Sequence, residues 1–217
     1  MKPPKDSPFR LLVEGKDDEH AIIHLLMRHK YSWEWIQERP CPYVHNTQSV
    51  DELLKRETIT SAIKTYRRLG LVLDADNKGP ARWNSLRDSF AVEGIELPSQ
   101  PERDGTILER PGGRRIGLWL MPDNTAEGTL EDFLLTLMPE GDLRQHAESS
   151  TKKARELGQL PLKDHSKGVV YAWLAWQREP GLPFGTALKG EFLGHESSVA
   201  QRFVGWFRRL FVDGFGP

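Results

Sequence analysis

Short apolar runs that end in acidic residues recur along the first two thirds of the chain. The runs lie at 11–13, 71–73 and 116–121, and segments with helical spacing of apolar positions follow them. Continuous apolar runs of this length are typical of strands buried on both faces of a parallel sheet, and their alternation with helices is typical of βαβ units. The pattern therefore predicts an α/β fold with a central, mainly parallel sheet.

The same patterns predict the bounds of the individual elements. We expect parallel strands at 9–14, 43–46, 70–74 and 116–121, with 106–108 as one further strand of a small hairpin. One helix follows Glu14, a second is capped by Ser49 or Asp51, runs to about Arg68 and ends at Gly70, and a third follows Pro80. Later helices are expected at 129–137, 140–158, 168–178, 184–191 and 196–212.

Three segments follow from this order of elements. They are a loose N-terminus at 1–8, an α/β domain at 9–138 and a helical C-terminal extension at 139–217, packed on that domain. Beyond Pro139 the pattern predicts helices only. Trp173 and Trp176 are three residues apart on one of these helices, so we expect both in its packed face.

The composition indicates one sizeable core and a reducing compartment. The chain has 217 residues, 38% of them hydrophobic, and a formal net charge of -1, so no global positive field favours nucleic acid. Cys41 is the single cysteine, and no apolar run approaches the roughly 18 residues of a membrane span. The first residues lack the apolar segment of a signal peptide. These features predict a cytoplasmic protein that does not enter a membrane.

Acidic residues stand at the ends of the predicted strands. Glu14 follows the first apolar run, and Asp74 and Asp76 follow the run at 71–73. The carboxyl ends of parallel strands meet at one edge of a sheet, and residues two apart point to the same face of an extended backbone. Carboxylates are the ligands that Mg²⁺ takes in proteins, and clustered acids repel one another unless a cation lies between them. The sequence predicts a divalent-metal site, with helix caps or solvated acids as the alternative.

Two motifs resemble the Toprim domain, which is shared by type IA and type II topoisomerases, bacterial primases, recombination-repair proteins and OLD-family nucleases. The motifs are Val-Glu-Gly-Lys-Asp-Asp at 13–18 and Leu-Val-Leu-Asp-Ala-Asp at 71–76. The resemblance implies a compact Rossmann-like Toprim fold that binds divalent metal and acts on phosphodiester bonds. It assigns Glu14 to the glutamate of the family, and Asp74 and Asp76 to its paired aspartates.

The nuclease branch of the Toprim family extends the implied site. In OLD-type nucleases a further acid follows the glutamate by four residues, which here falls on Asp18, and a later acid and a lysine also take part. Lys167 is the candidate lysine, and the candidates for the later acid are Asp123, Glu127, Glu131 and Asp132. The runs at 117–133 and 172–177 also resemble a family of small stand-alone Toprim-like proteins, and that likeness extends over nearly the whole chain.

The resemblance implies a phosphodiesterase that depends on Mg²⁺ or Mn²⁺ and acts as a nuclease on DNA or RNA. Glu14 and Lys167 are the expected catalytic residues, with Lys167 steadying the leaving oxygen. The expected metal ligands are Glu14, Asp18, Asp74, Asp76, Asp123 and Glu127. The alternative is a catalytically inactive Toprim module that binds nucleic acid or a partner protein. A homo-oligomer is compatible with both functions.

Other readings of the motifs fit the sequence less well. Haloacid-dehalogenase phosphatases share Leu-Val-Leu-Asp-x-Asp but continue with Gly-Thr, whereas Asn77, Lys78 and Gly79 follow here. The chain contains neither a G-x-x-x-x-G-K-[ST] phosphate loop nor an H-E-x-x-H zinc motif. None of its four tyrosines has the context of a topoisomerase nucleophile, which argues against strand transfer.

Overall fold

The computed structural model describes residues 5–31, 42–158 and 165–214. One sheet contains five strands, namely β1 Phe9–Val13, β2 Tyr43–Asn46, β3 Arg68–Asp74, β4 Thr106–Arg110 and β5 Arg114–Met121. Their order across the sheet is β2-β1-β3-β5-β4, in which β4 is antiparallel to β5 and the other neighbours are parallel. The predicted α/β class, the four parallel strands and the hairpin strand are confirmed.

Nine α-helices accompany the sheet in the part of the chain that the structure describes. They are α1 Lys16–Arg28, α2 Val50–Leu54, α3 Arg56–Thr65, α4 Gly79–Ala91, α5 Leu130–Leu135, α6 Asp142–Leu157, α7 His165–Ala175, α8 Phe184–Lys189 and α9 Ser198–Phe211. The helices predicted after Glu14, after Pro80 and in the second half of the chain are confirmed, with shifts of a few residues at their ends.

The helix predicted between Ser49 and Gly70 is wrong in its extent. Ser49 does cap α2, because its Oγ accepts a hydrogen bond from the N–H of Glu52 at 3.2 Å. Lys55 then has an extended backbone (φ -56°, ψ 130°) that separates α2 from α3. Arg68 and Gly70 belong to β3, where backbone pairing with the neighbouring strands outweighs the tendency of glycine to end a helix.

Strand side chains alternate between two hydrophobic cores, one on each face of the sheet. Val72, Trp119 and Met121 lie in the core that contains α1 and the helices from α5 onward. Leu71, Leu73 and other residues of opposite parity lie in the core that contains α2, α3 and α4. Strands β3 and β5 are therefore buried on both faces, as their continuous apolar runs predict.

The C-terminal helices and α1 form one layer against the sheet. Helix α9 lies across β3 and β5 at two glycines, since a Cβ at Gly117 would stand 2.4 Å from Leu210 Cδ2 and one at Gly70 would stand 3.1 Å from Phe211 Cζ. Glycine at these positions leaves room for the side chains of α9 to lie directly on the strands. The predicted extension is thus packed on the sheet, and one core continues across residue 138.

The structure also bears on the predictions for the N-terminus and for Trp173 and Trp176. Residues 1–4 of the predicted loose terminus lie outside the described residues, while the carbonyl of Pro8 accepts a hydrogen bond from Arg67 N at 2.8 Å. Trp173 is buried as expected, but the expectation for Trp176 is wrong because it is 44% exposed and rests against His146 just after α7. No helix among the described residues is long and apolar enough to cross a membrane.

Candidate metal centre

Parallel pairing of β1 with β3 brings Glu14 next to Asp74. The two strands are in register from Phe9 with Arg68 to Leu12 with Leu71, so their carboxyl ends lie side by side. Glu14 directly follows β1 and Asp74 is the last residue of β3. The N–H of Asp74 donates a hydrogen bond to Glu14 Oε1 at 2.8 Å, which fixes the glutamate at this edge. The predicted meeting of these two strand ends is confirmed.

Asp18 reaches the same edge from the first turn of α1. Its Oδ2 accepts a hydrogen bond from the N–H of Gly15 at 3.1 Å, as in a capping box. A Cβ on Gly15 would stand 3.3 Å from that oxygen, so glycine beside Glu14 leaves room for the carboxylate. The other oxygen, Oδ1, is buried and has no hydrogen-bond partner among the described residues, and the residue is only 8% exposed. A buried carboxylate oxygen without a partner is unfavourable and marks a place for a ligand.

Glu131 is the fourth acid at this edge, and it comes from α5. It is 6% exposed, and its two oxygens contact Thr129 Oγ1 at 2.9 Å and Lys167 Nζ at 2.9 Å. Lys167 lies on α7, so the C-terminal layer contributes a cation to the site. A cavity of about 240 Å³ opens here and is lined by Gly15, Asp17, Asp18, Asp74, Glu131 and Lys167, among others.

The electrostatics of the site favour protons or a cation on the acids. Burial raises the pKa of Asp74 to about 9, and the neighbouring Asp18 and Glu14 charges add to that effect. Burial likewise raises the pKa of Glu14 to about 7, although the Asp74 N–H and Arg82 act against it. Burial raises the pKa of Asp18 to about 6. Its backbone hydrogen bonds oppose this shift, and the charge of Glu131 adds to it. A positive ion would relieve the same repulsion that these protons relieve.

Asp76 is held differently from the other acids, by an arginine that sequence reasoning missed. Its backbone pairs with Gly128 through hydrogen bonds of 2.7 and 2.8 Å, and its carboxylate pairs with Arg82 of α4. Arg82 has a side chain only 12% exposed, and its charge also lowers the pKa of Glu14. The signal for Arg82 in the sequence is its position in the first turn of the helix that follows the Asp74–Asp76 motif.

The structure places Asp123 and Glu127 outside the acid-lined cavity. Asp123 Oδ1 accepts hydrogen bonds from Thr125 N at 2.9 Å and Ala126 N at 2.8 Å, and Arg202 lies 3.6 Å from its Oδ2. Burial works to raise the pKa of Asp123, but these hydrogen bonds outweigh it and lower the pKa below its usual range. Glu127 lines a second cavity instead. Asp123 is thus engaged by its own loop and by Arg202, Glu127 lies at the other cavity, and Glu131 is the later acid that lines the acidic cavity.

Asp132, the remaining candidate for the later acid, caps α5. Its Oδ2 accepts a hydrogen bond from the N–H of Thr129 at 2.8 Å, and its Oδ1 accepts one from Ser166 Oγ. Asp132 thus caps the N-terminus of α5, whereas the preceding residue, Glu131, lines the cavity.

The donor set at the cavity consists of carboxylates, which suit a hard divalent ion. Within residues 5–31, 42–158 and 165–214, no three His, Cys, Asp or Glu side chains stand close enough together to hold one ion. Local partners account for this separation, since Arg82 engages Asp76, Lys167 engages Glu131, and Glu14 accepts the Asp74 N–H. Side-chain rotation is needed to bring three of these acids onto one ion.

The chain belongs to the family described as "Protein of unknown function (DUF3226)", whose model matches residues 8–212. That match runs from β1 through α9, so the acidic edge and the C-terminal layer that carries Lys167 fall within one family unit. Neither a curated protein nor a solved structure gives a significant match to the chain. The likeness to Toprim domains consequently rests on the two motifs and on their places at neighbouring strand ends.

Proposed function

We propose that this member of the DUF3226 family is a divalent-metal-dependent phosphodiesterase, a nuclease that acts on DNA or RNA. The observation that carries the proposal is the group of three carboxylates at the carboxyl edge of adjacent parallel strands, of which Asp18 is buried and Glu14 and Asp74 are partly buried. Open α/β sheets bind their ligands at this edge. The two Toprim-like motifs supply all three residues.

Burial of like charges supports a cation site over a structural role. Each of these three acids has its pKa raised chiefly by burial, and repulsion from neighbouring acids adds to the shift. A stabilising network would pair such carboxylates with donors, yet within the part of the chain that the structure describes Asp18 Oδ1 has none. Perturbed carboxylates gathered at a cavity are typical of functional sites.

Mg²⁺ or Mn²⁺ is the ion that the donor set favours. Glu14, Asp18 and Asp74 are the proposed ligands, with Asp76 and Glu131 adjoining them. When bound, such an ion supplies Lewis acidity that polarises a phosphoryl oxygen and favours attack by water. Asp123 is left out of this set because its carboxylate is engaged by its own loop and by Arg202, and Glu127 is left out because it lines the second cavity.

Lys167 is the proposed catalytic cation of the chain itself. Its ammonium lies 2.9 Å from Glu131 Oε1 at the cavity lined by Asp18 and Asp74, and its side chain is half exposed. A substrate phosphate entering the cavity from solvent meets this ammonium beside the acids. There the ammonium stabilises the negative charge that develops on the leaving oxygen.

The second candidate function is a catalytically inactive module that binds nucleic acid or a partner protein. Arg82 and Lys167 favour it, because each neutralises one acid without a metal ion. Such a module would keep its acids for structural pairing and would show no metal-dependent cleavage.

A cleavage assay separates the two functions. The wild type is incubated with Mg²⁺ or Mn²⁺ and with plasmid, linear duplex, single-stranded DNA and RNA. We expect metal-dependent cleavage that falls at least about 100-fold in Glu14→Gln, because a ligand charge is lost while side-chain shape is kept. Glu57→Gln, the same change at an exposed position on α3, should retain full activity.

Two results of that assay would count against the nuclease. Cleavage undiminished in Glu14→Gln would show that another site, or a contaminant, cuts the substrate. Absence of cleavage with every substrate and both metals would favour the binding module, in which Glu14→Gln leaves nucleic-acid affinity unchanged or tighter because one repulsive charge is gone.

A further inference from the structure

A second cavity, of about 430 Å³, lies at the same edge of the sheet. It is bounded by the first turns of α4 and by two loops, at 99–101 and 124–127. Trp83 fixes one wall, because its indole N–H donates a hydrogen bond to the carbonyl of Pro98 at 2.9 Å. The volume lies within the range of about 300–1,000 Å³ that small-molecule sites occupy.

The two cavities are lined by neighbouring residues of the same two chain segments. Asp74 lines the first cavity and the next residue, Ala75, lines the second. On the facing segment, Glu127 lines the second cavity and Leu130 lines the first. Hydrogen bonds of 2.7 and 2.8 Å join Asp76 to Gly128 between them. The two cavities are therefore neighbours along these segments, which suits one ligand with two chemically different parts.

The chemistry of the second cavity differs from that of the first. Its polar side chains are uncharged donors and acceptors (Asn84, Ser99, Gln100 and Thr125), and Glu127 is the single ionisable residue among the described residues that line it. Apolar surface, including Pro80, forms much of the remainder. Uncharged hydrogen-bonding groups on an apolar wall suit a flat polar ring and a sugar, whereas a phosphate would meet no cation here.

We propose that this second cavity binds the nucleoside part of the substrate, base and sugar, whose phosphate is processed at the acid-lined cavity. The proposal rests on the proposed function for its phosphate, and it names the substrate class, an unpaired nucleotide. A base that enters a cavity must leave its stack and its pairing partner. Single-stranded or frayed ends are thus the form of nucleic acid that this site accepts.

The test compares ligands that differ only in the base. Binding of the nucleoside 5′-monophosphates and of ribose 5-phosphate to the full chain is measured by calorimetry with Mg²⁺. We expect at least one nucleotide to bind at least about tenfold more tightly than ribose 5-phosphate. Asn84→Trp, which fills the cavity, should abolish that difference, and Arg87→Trp, an exposed position one turn along α4 outside the cavity lining, should preserve it. Ser99→Trp serves as a second filling variant if Asn84→Trp does not fold.

Free nucleosides in EDTA make the test independent of the metal site. We expect contacts detected by ligand-observed NMR in the wild type and in Arg87→Trp, and their loss in Asn84→Trp. Equal binding of nucleotides and ribose 5-phosphate, or nucleoside contacts that survive both filling variants, would overturn the proposal. Failure of the phosphodiesterase alone would look different, since nucleoside contacts would persist while Mg²⁺ added nothing to phosphate binding.

Discussion

Charged residues lie at both ends of the sheet, but the groups that surround them differ. At the carboxyl end, Glu14, Asp18 and Asp74 lie among like charges, and burial raises the pKa of each. At the amino end, Arg68 and Arg115 face one another across β3 and β5. Burial lowers the pKa of Arg68 to about 10, which still leaves it charged at neutral pH.

Each arginine donates hydrogen bonds to two backbone carbonyls of the C-terminal segment. Arg68 Nη1 donates hydrogen bonds to the carbonyls of Leu210 at 2.7 Å and Asp213 at 2.9 Å. Arg115 Nη1 donates to the carbonyls of Arg209 and Asp213, each at 2.7 Å. These carbonyls belong to the C-terminal end of α9 and its turn, where cations are favourable. Like charges are neighbours at both ends of the sheet. At the amino end the hydrogen bonds to these carbonyls offset the repulsion and hold α9 on the sheet, whereas at the carboxyl end the repulsion raises the free energy of the folded state and favours a bound cation.

Removal of an arginine at the amino end should give the largest change in stability. We expect Arg68→Ala to lower the free energy of unfolding by about 3 kcal/mol, because two carbonyls at the end of α9 lose a charged donor. In a domain of this size the melting temperature should fall by about 10 °C. Arg67→Ala, at the exposed neighbouring position, should change the free energy by at most about 0.5 kcal/mol. Similar losses in the two variants, measured by urea unfolding, would contradict the structural role of this end.

Removal of an acid at the carboxyl end should have the opposite sign. Asp74→Asn keeps the oxygen that accepts the Leu130 N–H at 2.9 Å and removes the buried charge. The metal-free variant should be more stable than the wild type by about 1–3 kcal/mol at pH 8, because Asp74 of the wild type must take up a proton on folding at a pH far above its ordinary pKa, whereas the amide need not. Thermal unfolding in EDTA measures this gain.

The pH dependence of that gain follows from the raised pKa of Asp74. The folded state binds the Asp74 proton more tightly than the unfolded state, with pKa values of about 9 and an ordinary 3.8. The stability that the wild type gains from the proton on Asp74 is therefore present in full below about pH 4 and is lost as the pH rises toward 9. The advantage of Asp74→Asn should shrink from pH 8 to pH 5. An advantage that is constant with pH would mean that the charge of Asp74 is not its cause.

Substitution of Arg82 should have the smallest effect of these three substitutions, and the quantity that it changes is metal affinity. Its guanidinium occupies the acidic edge beside Asp76 and Glu14, so it competes with a bound cation. Arg82→Gln should tighten Mn²⁺ binding by roughly three- to tenfold, equivalent to about 1 kcal/mol. Lys78→Gln, at the exposed residue before α4, should leave the affinity unchanged because exposed charges are screened by salt. Calorimetric titration that finds weaker binding in Arg82→Gln would instead make Arg82 a support for the site.

Apolar runs predicted the sheet well because strands buried on both faces allow little else. Their ends carried Glu14, Asp74 and Asp76, so the edge of the candidate site was also predictable. Gly70 was misplaced because its close contact with α9 depends on residues 140 positions away in the sequence. No local pattern could tell that Glu131 would face the cavity while Asp123 turned to Arg202. Arg82 and Lys167 set the balance of charge at the site. Their contacts with the acids depend on how α4 and α7 pack, which the sequence pattern alone does not give.

Direct titration of the metal-free protein with Mn²⁺ tests the claim that the carboxyl edge binds a divalent ion. We predict one saturable site in the wild type with a dissociation constant below about 1 mM, which corresponds to about 4 kcal/mol. The double variant Asp18→Asn/Asp74→Asn should bind at least about 100-fold more weakly while staying folded, because two ligand charges are gone. Mn²⁺ binding of equal strength in the wild type and the double variant would place the ion elsewhere and contradict the account of this edge.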